Sequence, residues 1–78
     1  MVTKKQIDRW AKQVRLAWRK RMRGAQRLFG EAQQRAFLAE EVMSLMRTIY
    51  EEAGDRVLLG DMVTVYNAAL AGLGLDES

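Results

Sequence analysis

Seventy-eight residues make one domain, 1–78, near the lower size at which a chain buries a core unaided. With no cysteine and no histidine, the chain has no disulfide staple, no thiolate or imidazole metal site and no ordinary neutral-pH proton carrier. Its net charge of +3 averages two unlike halves: residues 1–27 hold ten basic side chains and one acid, whereas residues 28–78 hold three basic and nine acidic ones.

Such asymmetry has two readings: a basic element meant for a polyanion, or two halves that attract each other. The absence of proline and the presence of only six glycines suit a helical chain with few sharp turns. The opening MVTKKQID lacks the charged-then-apolar pattern of a signal peptide. No apolar run reaches the roughly 18 residues of a membrane span, so a cytoplasmic location is expected.

The first predicted helix covers about residues 4–29. Thr3 offers a capping hydroxyl, and Gln6, three residues on, completes the pattern of a capping box. At about 100° per residue, Ile7, Trp10, Ala11, Val14, Ala17, Trp18, Met22, Ala25, Leu28 and Phe29 share one side. Every basic residue of this stretch except Arg21 falls on the other. Gly24 weakens the helix and Gly30 ends it. Arg21 belongs at the edge of the core, its stem packed and its guanidinium reaching an acid such as Glu40 or Glu51. Leu16 sits in the middle of the cationic side. It reads either as an ordinary exposed leucine or as an apolar contact at the centre of a charged docking surface.

The second helix is placed at about 31–53, with Gly54 as its C-cap. Leu38, Ala39, Val42, Met43, Leu45, Met46, Ile49, Tyr50 and Ala53 cover about half its circumference, more than one neighbour requires. Two packing partners are therefore expected, either two helices of this chain or one helix and a second subunit. Met43 and Met46 fit core filling better than an adaptable groove.

Residues 56–66 allow a hairpin around Gly60-Asp61, but Met62, Val65, Tyr66, Ala69, Leu70 and Leu73 match a helical period. The helix is preferred, at about 61–71, with Asp61 as N-cap and Gly72 or Gly74 closing it. Residues 62–75 carry no charged side chain. A helix uncharged all round is normally buried or covered by a partner. The Asp76-Glu77-Ser78 tail is expected to fray. The fold class is thus all-α, a compact three-helix bundle with a long basic N-terminal helix.

Chemistry is sparse. No phosphate-binding glycine loop occurs. Neighbouring glutamates at 40/41 and 51/52 diverge by about 100° on a helix and converge on nothing. Glu40 and Glu51 share a face about three turns apart, too far to share a metal or a proton. Serines and threonines have no histidine to activate them. The residues point to a binding protein rather than an enzyme, with no cofactor, no metal and no small-molecule substrate.

Arg9, Lys12, Arg15, Leu16, Arg19, Lys20, Arg23 and Arg27 form the expected binding face. The leading reading is an adaptor or inhibitor, of the sort carried by phages and other mobile elements, that docks this face on an acidic surface of a larger protein. One alternative is sequence-nonselective contact with a DNA or RNA backbone. Another is a homodimer without a polyanion partner, for which Leu38, Leu45, Ile49, Val63, Tyr66 and Leu70 are the candidate self-association residues. An interfacial membrane helix ranks below these, because hiding the same apolar face in a core requires nothing further.

Overall fold

The computed structural model of the chain describes residues 2–25, 28–53 and 59–75. They form three helices, α1 (Lys4–Met22), α2 (Glu31–Ala53) and α3 (Leu59–Leu73), and each helix packs on the other two. The expected three-helix bundle is present, with no strand among the described residues. Its dimensions are 37 × 26 × 17 Å. The two packing partners that the wide apolar arc of α2 requires are α1 and α3.

Helix α1 begins as its sequence dictates. The Thr3 hydroxyl accepts from the Gln6 amide at 3.2 Å, and the Gln6 side chain accepts from the Thr3 amide at 2.8 Å, closing the capping box. Val2 and Ile7, which flank that box at the positions of a hydrophobic staple, both pack against the core.

The helix stops earlier than its apolar period suggests, at Met22 rather than near Phe29. Arg23 leaves the helical region at φ −57°, ψ 121°, and Gly24 takes φ +75°. The Ala25 amide then bonds the Met22 carbonyl at 2.9 Å. These are the dihedrals and the hydrogen bond of a type II turn, whose third residue needs positive φ and so favours glycine. Gly24 therefore terminates α1 where the sequence had suggested only a weak point. Ala25, Leu28 and Phe29 lie beyond the helix. Phe29 returns to the core region edge-on to Phe37, with ring centroids 5.0 Å apart.

Helix α2 spans the residues expected. Its first turn is held from two sides: the Gln34 side chain donates to the Phe29 carbonyl at 2.9 Å, and the Trp18 indole donates to the Gln34 carbonyl at 2.9 Å in a buried bond. Helix α3 starts two residues before its expected N-terminus, so Asp61 is a first-turn acid rather than the N-cap. At its far end Leu75 N bonds Leu70 O at 3.1 Å and Gly74 N bonds Ala71 O at 3.3 Å. With Gly74 at φ +70°, this is a Schellman close; of the two glycines proposed to end the helix, Gly74 does so.

The core is built from Trp10, Ala11, Val14, Trp18 and Met22 of α1, Leu38, Val42 and Met46 of α2, and Val65, Ala69 and Leu70 of α3. Ala17, expected on the buried side, is exposed. The expected cap at Gly54, the hairpin alternative at residues 56–58, the fraying of residues 76–78 and the side chain of Ala53 lie outside the described residues. None of the described helices is long and apolar enough to cross a membrane.

Candidate functional site

Burying Trp10, Val14, Trp18 and Met22 fixes the rotation of α1 and thereby turns the opposite side of the helix to solvent. At about 100° per residue, Leu16 stands at the middle of that outward side. Lys5, Arg9, Lys12, Arg19, Lys20 and Arg23 fall within about 60° of it on either flank. Leu16 is 55% exposed. Lys4, Lys5, Arg9, Lys12, Arg19, Lys20 and Arg23 are all exposed, and no ion pair among the described residues includes any of them. The result is a straight ridge of about 27 Å from Lys5 to Arg23, with an apolar centre and cations on roughly every turn.

Four acids of α2 are occupied elsewhere. Glu31 pairs with Arg35 at 3.6 Å and Glu51 with Arg47 at 3.1 Å, both within α2. Glu40 and Glu41 hold Arg21 at 2.7 and 3.4 Å, and the Arg21 guanidinium lies 4.4 Å over the centre of the Phe37 ring. Arg21 is thus the packed, acid-bound arginine expected, with Glu40 and not Glu51 as its partner. It is also the only cation of α1 in an ion pair with α2 among the described residues. Mutual attraction between the halves explains one arginine and leaves the ridge unaccounted for.

One candidate of the binding face does not sit on the open ridge. Arg15 is half-buried, folded against α3, where its Nη1 donates a long 3.4 Å hydrogen bond to the Ala68 carbonyl. Gly72 provides the seat: a Cβ there would come within 2.8 Å of the Arg15 Cδ and Nη1. A cation against the last turns of a helix is also favoured by the helix dipole. Arg15 therefore joins α1 to α3. Arg27 lies outside the described residues. Arg9, Lys12, Leu16, Arg19, Lys20 and Arg23 are brought together as expected.

The self-association candidates divide more sharply. Leu38 and Leu70 are core residues, buried among the three helices, and cannot line an interface. Leu45 and Ile49 are partly buried and pack against that core. Val63 is open, and half-buried Tyr66 lines a groove between α2 and α3. Leu59, absent from the expected set, lines the same groove, and so does Met43, which was expected to fill the core but is exposed; of the two methionines, only Met46 is buried. The missed signal was the start of α3. A helix beginning at Leu59 puts Leu59, Val63, Tyr66 and Leu70 at i, i+4, i+7 and i+11, whereas one beginning at Asp61 leaves Leu59 out. Comparison with known protein families, curated proteins and solved structures gives no match.

Proposed function

We propose that this chain is a non-enzymatic binding protein, of adaptor or inhibitor type, that docks the outward ridge of α1 on an acidic surface of a larger protein. The observation that carries the reading is the set of unpaired cations surrounding an exposed leucine on a face whose orientation is fixed by the core behind it. A cationic rim steers an anionic partner and fixes register, while an apolar centre shielded from water supplies the energy.

Contact with a nucleic-acid backbone is the competing reading, favoured by cations recurring about once per turn. Two features weigh against it. Trp10 and Trp18 are both buried, which removes them as stacking platforms for bases. A leucine at the middle of the ridge has no role against phosphates.

The test is a pair of variants. R19E/K20E/R23E is expected to keep helical circular dichroism and abolish binding to a protein isolated by affinity capture on the parent chain. Leu16→Ala is expected to weaken protein binding by more than about 1 kcal/mol while leaving charge unchanged. Binding to random duplex DNA, measured against salt, separates the two partner classes. A steep linear fall of log K with log[salt] that Leu16→Ala does not alter would establish phosphate contact instead.

A further inference from the structure

We propose that what the partner lays on the α1 ridge is an acidic α-helix, crossing α1 at a shallow angle. It carries a small or apolar residue opposite Leu16 and carboxylates one and two turns to either side. This rests on the docking reading of α1 and specifies what the partner presents.

The ridge is a narrow stripe. Lys5, Arg9, Lys12, Leu16, Arg19 and Arg23 follow one another at steps of four, three, four, three and four residues. The stripe therefore keeps to one side of the helix and runs along its axis. Its flanks carry much less positive charge. Gln6 and Gln13 border it on one side, where Lys20 is the single cation. On the other side lie Asp8 and Arg15, and Arg15 is folded onto α3. A helix seated in the major groove of DNA, about 12 Å wide, meets phosphates along both flanks. This helix offers its cations along the middle instead.

Spacing selects a helix over a strand. Side chains along the stripe recur once per turn, about every 5.4 Å. An extended strand presents same-face side chains about every 6.8 Å and loses a full repeat over the ridge length of about 27 Å. A second helix has the same pitch and stays in step, so that a carboxylate can face each cation.

The place of the leucine fits the same geometry. Two straight helices packed at about 20° approach within about 8–10 Å at their crossing point. Long charged side chains crowd there, and a leucine fits. Toward Lys5 and Arg23, about 10–17 Å along the axis from Leu16, the helices diverge by about 4–6 Å. Lysine and arginine side chains span that gap. Glu31, Glu40, Glu41 and Glu51 of α2 are already paired within the chain, which assigns the acidic helix to a different protein rather than to a second copy.

Two synthetic peptides test this against the full chain by fluorescence anisotropy at low salt. Both have about 21 residues, enough to cover the ridge at 1.5 Å per residue, share one composition and are stapled to hold a helix. In the first, glutamates flank a single leucine in one stripe at steps of three and four residues. In the second, the same glutamates are spread around the helix. The first is expected to bind more than about tenfold tighter than the second. Leu16→Ala should weaken it more than about fivefold, and R19E/K20E/R23E should abolish its binding with helical circular dichroism unchanged. Equal affinities for the two peptides overturn the acidic helix and leave docking by charge on α1 standing. Failure of the first peptide to bind overturns the helix too; binding of a protein isolated by affinity capture then judges the docking reading separately. Random duplex DNA that displaces the first peptide, with no effect of Leu16→Ala, overturns both. A dimer in sedimentation equilibrium that R19E/K20E/R23E dissociates places a second copy on the ridge and overturns the separate partner.

Discussion

Arginines of one helix are not equivalent, and the differences can be measured one side chain at a time. Arg21 is ringed by Glu40, Glu41 and the face of Phe37, whereas Arg19 and Arg23 close by have no such partners. Arg21→Met removes a cation–π contact worth about 0.5–1 kcal/mol at a half-open site and exposed ion pairs worth about 0–1 kcal/mol. It is expected to lower thermal stability slightly and leave affinity for an acidic partner unchanged. Arg19→Met should do the reverse. If Arg21→Met weakens binding as much as Arg19→Met does, Arg21 belongs to the docking face and its internal contacts are incidental. That Arg21 would turn inward was legible from its position among apolar residues. That Arg15 would also do so was not, because the cause is remote: Gly72, 57 positions along the chain, leaves α3 bare where the Arg15 stem crosses it. A helical wheel of α1 places Arg15 with the other cations and contains nothing of α3.

At the scale of elements, what could be read and what could not divide along the same line between local and distant causes. The capping box of α1, the span of α2 and the apolar stripe of α3 depend on residues within a few positions of one another, and they stand as their sequences imply. The end of α1 does not. Ala25, Leu28 and Phe29 continue the helical period, so periodicity alone extends the helix to 29. The turn at Arg23-Gly24 stops it because it allows the chain to reverse, Phe29 to reach Phe37, and Gln34 to receive the Trp18 indole hydrogen bond. Tertiary contacts override a continuing pattern. Gly24→Ala tests this account. A Cβ at Gly24 meets nothing within 4 Å, so the cost is conformational only, about 1–2 kcal/mol for an L-residue held at positive φ. Chemical denaturation should show a loss of that size with an unchanged m-value. A gain in stability would mean that α1 prefers to continue through residue 24.

For the whole molecule, the ridge and the fold are in competition. Lys4 and Lys5 lie in the first turn of α1, where the helix dipole disfavours positive charge and which itself holds no acid. Along the rest of the outward face, cations three and four residues apart repel one another. Against this stand the ion pairs of Arg21, Arg35 and Arg47, which salt would weaken. The two effects have opposite salt dependence, so their balance can be observed directly. Exposed pairs contribute only about 0–1 kcal/mol each, and those of α2 include an arginine preceding its glutamate, the poorer order for an i,i+4 pair. Repulsion along the ridge involves six unpaired cations and should dominate. The melting temperature is therefore expected to rise with sodium chloride, measured at low protein concentration. The R19E/K20E/R23E variant should lose most of that dependence. A melting temperature that falls as salt is added would show that internal ion pairs outweigh the repulsion. The cationic face would then cost the fold nothing, and the contrast between the paired acids of α2 and the unpaired cations of α1 would lose its force. If it rises as expected, an anionic partner relieves the same repulsion by occupying the ridge, and part of its binding free energy comes from the strain that the free molecule carries.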